Sequence, residues 1–510
     1  MNFTPRPSAT QTPTAPDRPL PPARRKVVLE APQAMFSGTF AALIGLAATA
    51  LFLQGKEPSQ VVASGAIGVG LSLALSFAAD LRHGFQNLIR ADVMALLAFY
   101  FLTLFEFLFP QPDFDDMIIV ASAYNGTLVV LVAFAGLLIG RHLLRPKRQP
   151  FGEALTREVP AAWLTLIFWS CMAVGYSHML IAVNFNVIEM VDWMMAPRFA
   201  QPWARGRLGD WKALLIELGL LLYLLPPLAG IILARRHRYS RFQVALITLA
   251  LLFSIFAGFA SGTRNIFATY LVTFLIGYAF AAPPEYKKQF ILLSAVSAVL
   301  MFASTIIMLE FRNIGFRNYL EGQRRPAEAV EQSLFVDYNL YAIGKLTEVF
   351  PKRQPYLGWE IPYQALIRPI PRAIWKNKPE GLSASIEDAL GAEGLTIAAS
   401  FAGEAFMSGG KFAVLIAGLF FGAVTGWWSF LSSPRNSELG ILIYASGFFA
   451  AVISMRSLLV FTTALLPTVA AIGICIYVAR VLARQGAKLL AHLRSRRAPQ
   501  RVRPGPRVVR

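Results

Sequence analysis

The chain of 510 residues is 55% hydrophobic and 15% charged, with a mean hydropathy of +0.52, whereas ordinary soluble domains carry about 25% charged residues; a water-soluble globular enzyme is excluded. Uncharged apolar stretches of about 18 residues or more, enough to cross roughly 30 Å of hydrocarbon, recur about twelve times and lack the alternation of transmembrane β-strands. The net charge of +19 reflects membrane orientation and not nucleic-acid binding, because the basic residues lie between apolar spans and in the tails.

The expected fold is an all-α polytopic membrane protein of about twelve transmembrane helices with one large periplasmic loop. Residues 1–34, rich in Pro, Thr, Ala and Arg, predict a disordered cytoplasmic tail without a cleavable signal peptide. Spans beginning near residues 35, 61, 93, 117, 161, 213, 242, 264 and 290 form a nine-helix region over 35–308. The large loop covers 309–411, and a smaller outer loop covers 184–212. Spans near 412, 439 and 458 complete 412–479, and 480–510 is a basic cytoplasmic tail. Lys and Arg concentrate in the segments that fall on the N-terminal side of the bilayer, which places both termini in the cytoplasm. Cys171 and Cys475 fall inside spans and predict neither a disulfide nor a metal site.

Within the large loop, Val330, Leu334, Tyr338 and Tyr341 are spaced for an amphipathic helix over 327–349, lying on the membrane or on the bundle. The next stretch, YLGWEIPYQALIRPIPRAIWKNKPEG at 356–381, has Pro362, Pro369, Pro371 and Pro379, with Pro355 just before it, so it cannot form one helix. Its Tyr356, Trp359, Tyr363 and Trp375 suit the headgroup region, and a broken, re-entrant or surface-hugging segment is expected. Ser385 followed by Asp388 predicts a short capped helix. GGK at 409–411 leads into the tenth span.

Four cations, Arg368, Arg372, Lys376 and Lys378, follow one another with no acid between Glu360 and Glu380. With Arg312, Arg317, Arg324 and Arg325 upstream they suit phosphate or pyrophosphate at the interface, since guanidinium forks chelate phosphate oxygens. The other reading of these groups is a solvated or lipid-anchoring face. Arg264, in FASGTRNIF between two spans with almost no loop, is held near the outer interface, where it either serves function or snorkels to headgroups. Asn265 and Thr263 beside it could hydrogen-bond a sugar or a phosphate. Glu404, among small residues in SFAGEAFMSGG, is a candidate general base or a member of a structural ion pair. Glu310 is a second such candidate. Asp113, Asp115 and Asp116 are the one plausible hard-metal cluster, which positive-inside asymmetry explains as well. His178 reads as a buried histidine, and the large loop has no histidine.

Three of these motifs are similar to those of one family. SGTRN at 261–265, IPRAIWKNKPEG at 370–381 and GEAFMSGG at 403–410 resemble, in order and outer-face placement, motifs of oligosaccharide repeat-unit polymerases of the O-antigen/exopolysaccharide (Wzy-type) class. The second matches a PR-aromatic-x-x-KP block and the third a GE-aromatic-x-x-x-G block; together they cover about residues 250–430. The resemblance implies a GT-C-like glycosyltransferase of the bacterial inner membrane that works without metal or cofactor. A growing chain on undecaprenyl pyrophosphate would be transferred to a sugar hydroxyl of a fresh lipid-linked repeat unit on the periplasmic face. Glu404, Arg264, Arg312 and Arg372 are then the catalytic candidates. Arg317, Arg368, Lys376, Lys378, Asn265 and Trp375 are the substrate-binding ones. Expected partners are undecaprenyl-pyrophosphate-linked oligosaccharides and the bilayer, with a chain-length regulator and a flippase as candidates and no nucleic acid. An O-antigen ligase, which is expected to use a histidine in its large loop, and a lipid-linked sugar transporter or flippase are the alternatives.

Overall fold

A computed structural model describes residues 33–145, 158–197, 200–203, 212–283, 286–311, 314–323, 339–372, 374–379, 381–383, 386, 398–432 and 437–497. The N-terminal tail to residue 32, Arg312, Arg324, Arg325, most of the predicted amphipathic helix, the Ser385–Asp388 cap and the last thirteen residues lie outside them.

The described residues form helices and no strands. The main ones are α1 (Phe36–Leu51), α2 (Pro58–Leu81), α3 (Ala91–Thr103), α4 (Val120–Gly140) and α5 (Ala161–Ala182). After these come α6 (Leu215–Ala234), α7 (Arg241–Ala260), α8 (Arg264–Ala281), α9 (Lys287–Phe311), α10 (Asn339–Val349) and α11 (Glu360–Ile367). The chain ends with α12 (Ser400–Ser429), α13 (Glu438–Arg456) and α14 (Leu458–Arg497). Each of the twelve predicted spans coincides with a helix, and among the described residues nine helices are long and apolar enough to cross a membrane. This is a multi-pass membrane protein.

One end of the bundle is tied by buried charges. Arg90, fully buried, donates to Asp80 at 2.8 Å and to Asp92 at 2.9 Å. Arg141 joins the same carboxylates and donates to Ser76 at 2.8 Å, while Ser429 donates to Asp92 at 2.7 Å. These groups link α2, α3, α4 and α12, and the Met35 amide donates to Asp80 at 2.8 Å, which fixes the start of α1. Nearby, buried Glu438 at the start of α13 accepts from Arg235 and Arg238, on the turn between α6 and α7, and from the Val159 amide. Buried charges in a low-dielectric interior survive only when paired this completely.

The seam between α4 and α12 is tightly closed. A methyl added at Gly136 or Gly140 would lie 2.8 or 2.4 Å from the carbonyl oxygen of Leu415 or Leu419, and one at Gly422 would lie 2.4 Å from that of Leu137. Small residues let helix backbones meet in this way where lipid supplies no hydrophobic drive between helices.

The opposite end departs from the sequence expectation in one place. Residues 400–408, read as the end of the loop, are already helical, and α12 is broken at Gly409 and Gly410. Gly410 has φ 66° and ψ −158°, a region open almost only to glycine. The described part of the amphipathic segment, α10, takes the second of its two expected placements, on the bundle. Leu340, Ile343 and Leu346 are buried with the side chains of α3, α4 and α12, Gly344 meets Gly126, and Asn339 donates to the Leu102 carbonyl at 2.9 Å. The physical reason is length: α3 has only 13 residues, about 20 Å of helix, and α10 occupies the depth that α3 leaves uncovered.

Candidate functional site

The broken end of α12 brings together Glu404, the segment after α11 and the joint between α13 and α14. That joint is a single residue. Ser457 is extended, with φ −163° and ψ 128°, between Arg456, the last residue of α13, and Leu458, the first of α14. The first amides of any helix have no partner within it. Here Glu404 supplies one across the bundle: its buried carboxylate accepts from Ser457 Oγ at 2.6 Å, from the Leu459 amide at 3.1 Å and from the Leu458 amide. An anion at a helix N-terminus also meets the positive end of the helix dipole. Glu404 therefore stands as a cap on α14 supplied by the half-helix 400–408.

The loop before α11 clasps that half-helix. The amides of Leu357 and Gly358 donate to the carbonyls of Met407 and Ser408, each at 2.9 Å, and Ser408 Oγ donates back to Gly358. Thr462 on α14 donates to the Ala365 carbonyl on α11. Between α11, α12 and α14 these contacts leave an apolar groove of about 550 Å³. Ala405, Ile416 and Phe420 of α12, Phe461 of α14, and Leu366 and Trp359 beside α11 line it.

The predicted cations fall into two groups. Arg368 ends α11 beside the groove, is exposed, and its field reaches Glu404. Arg372 and Lys376 follow, also exposed, with Trp375 half-buried between them. Lys378 is used locally: its ammonium donates to the carbonyls of Arg368 and Ile370, each at 3.0 Å, closing the loop on itself. The second group surrounds an aromatic cluster. Phe259, Phe267, Phe311 and Phe316 pack together, and they bring the α7–α8 hairpin, which carries half-buried Arg264 and Asn265, against the end of α9 and the helix Phe316–Leu320. Arg317 on that helix pairs with Glu321 at 3.1 Å and Asp192 at 3.8 Å, so its charge is balanced by carboxylates. Arg312 lies outside the described residues.

Helix α13 touches α8, which carries Arg264, and also α12 and α14. Its last residue, Arg456, was missed in the sequence. The signal was present, since MRSLL places an arginine between two spans with even less loop than surrounds Arg264.

The remaining candidates lie as follows. Asp115 accepts from the amide and hydroxyl of Ser59 at 2.6 and 2.7 Å, at the start of α2. His178 is buried against the Gly175 carbonyl. Cys171 and Cys475 are buried and free. Among the described residues no group of three or more His, Cys, Asp or Glu side chains could hold a metal ion.

No protein-family model matches the chain, and neither a curated protein nor a solved structure is significantly similar to it.

Proposed function

We propose that this protein is an inner-membrane polysaccharide polymerase that joins undecaprenyl-pyrophosphate-linked repeat units by glycosyl transfer. The observation that carries the reading is the apolar groove along α11, the helix that ends at Arg368 and is followed by exposed Arg372 and Lys376. A polyprenyl pyrophosphate needs both parts, a greasy channel for its tail and cations for its headgroup. In this reading the broken end of the bundle is periplasmic and the Arg90 end cytoplasmic, as the distribution of Lys and Arg suggests.

The chemistry would be as follows. Arg264 and Arg372, with Arg312, stabilise negative charge as the sugar–pyrophosphate bond breaks, an electrostatic role that can dominate catalysis. Arg317, Arg368, Lys376, Lys378, Asn265 and Trp375 hold the donor or the acceptor. Glu404 takes the acceptor hydroxyl proton, for which it must exchange its bond to Ser457 for one to substrate.

One observation favours a second reading. Discontinuous helices such as α12 are common at the substrate sites of transporters, so a lipid-linked sugar transporter is the rival. A gel of lipid-linked and surface polysaccharide from a strain lacking the gene separates the two. Single repeat units reaching the outer face, with the long ladder gone, are expected of a polymerase. Units retained on the cytoplasmic side indicate a transporter, and long polymer left on its lipid indicates a ligase.

A further inference from the structure

We infer that Arg456 is a binding residue for the pyrophosphate group; the inference rests on the reading of a lipid-pyrophosphate substrate. Four observations carry it. The guanidinium is half-buried at the joint of α13 and α14, and with a one-residue connection it cannot swing far from the bundle end. Among the described residues it makes no ion pair and no side-chain hydrogen bond, unlike buried Arg90 and Arg141 at the other end, whose donors are taken by carboxylates. The carboxylate at this joint is already committed, because Glu404 takes the donors of Ser457 and Leu459 that follow Arg456 closely. Finally, packing register places Arg456 level with Arg264. Tyr223 stacks on Phe449 and packs edge-on to Tyr270. From that layer Arg456 is seven residues up α13 and Arg264 six residues up α8, about 10 Å in each case.

A pyrophosphate carries oxygens at both ends, and two guanidinium forks at one height match it better than one. A polyprenyl pyrophosphate and free pyrophosphate share this chemistry. A cation at a helix C-terminus is also favoured by the helix dipole alone, and that is the competing account of Arg456.

The test is equilibrium binding to the full-length protein in nanodiscs of zwitterionic lipid, with undecaprenyl pyrophosphate, undecaprenyl phosphate and inorganic pyrophosphate as probes. Arg456→Gln should weaken undecaprenyl pyrophosphate at least tenfold and bring its affinity close to that of the monophosphate. Arg456→Lys should lose less, and Lys56→Gln, an exposed lysine at the α1–α2 turn, should match the wild type. A loss shared equally by inorganic pyrophosphate supports the anion site and assigns it to the free ion. Arg456→Gln binding within twofold of wild type, while Arg264→Gln is impaired, overturns the inference and leaves the polymerase reading standing. Wild type that does not bind the lipid pyrophosphate removes both. If Arg456→Gln does not elute as a monodisperse protein, wild type is treated with phenylglyoxal and the modification of Arg456 read by mass spectrometry. Protection by undecaprenyl pyrophosphate supports the assignment, and unchanged modification rejects it.

Discussion

Ser457 donates its hydroxyl to the Glu404 carboxylate at 2.6 Å, so the one residue joining α13 to α14 is held by a half-helix that begins more than fifty residues earlier. Removing the acceptor and changing only its charge should therefore differ. Glu404→Gln keeps one oxygen for Ser457 but turns an amide NH2 toward the Leu459 amide. We expect near-normal protein in the membrane with polymer reduced at least a hundredfold. Glu404→Ala loses the whole cap, worth about 0.5–2 kcal/mol, and should lower protein level as well. Wild-type polymer from Glu404→Gln would leave Glu404 a cap and nothing more.

Exposed Arg372 can be removed without touching the core, and surface changes of this kind cost within about 0.5 kcal/mol. Arg372→Ala should abolish long polymer at unchanged protein level, and Arg264→Ala should do the same. Immunoblots of membranes beside polysaccharide gels check both, and a full ladder from either variant removes that residue from the site.

The Arg90 end should respond in the opposite manner. Arg90→Met leaves Asp80 and Asp92 buried with one cation, a change that costs about 3–5 kcal/mol. Thermal unfolding in detergent should show a large fall in Tm, with polymer declining only in proportion to protein.

His142, just past the end of α4, gives a pH dependence. Burial, with Arg141 and Arg145 adding their charges, lowers its pKa from 6.5 to about 4; Arg90 acts in the same direction and Asp92 weakly against it. Its Nε2 lies 2.6 Å from Thr39 Oγ1 and its ring stacks on Phe36. Between pH 6.5 and 4 the unfolded chain binds this proton and the folded chain does not, so stability falls as pH drops through that window and is full above it. His142→Gln should flatten the fall in Tm between pH 7 and pH 4; an unchanged slope would assign the dependence to other groups.

Gly410 supplies a test of the helix break. Gly410→Ala forces a Cβ at φ 66° and within 2.7 Å of the Tyr356 hydroxyl, a strain of about 1–3 kcal/mol. Tyr356→Ala in the same chain should not restore stability or polymer, because the strain is in the backbone. Full rescue would show that the clash alone matters.

The helices were legible because an 18-residue apolar run admits few other structures in a bilayer. The cations of 368–378 were legible as a group, since charge runs survive any fold. Glu404 could be singled out but not its partners, because a cap between residues more than fifty apart depends on tertiary packing that no local pattern records. The inward placement of α10 was hidden for a similar reason: its spacing is that of any amphipathic helix, and only the shortness of α3 reveals the gap it fills. Arg90 has Asp80 and Asp92 close by in the chain, but the Arg141 and Ser429 that complete that cluster, and the Arg235 and Arg238 that pair with Glu438, come from elements distant in sequence, which no local pattern records.

The seam of glycines between α4 and α12 divides α12 into two faces under different rules. Toward α4, backbone meets backbone, and any added carbon forces the helices apart. Toward the groove, Ile416 and Phe420 face side chains of α11 and α14, and either can change volume while the seam holds the helix in place. The size and shape of the groove can thus drift through substitutions on one side of a helix whose other side is fixed, and the bundle need not be rebuilt each time.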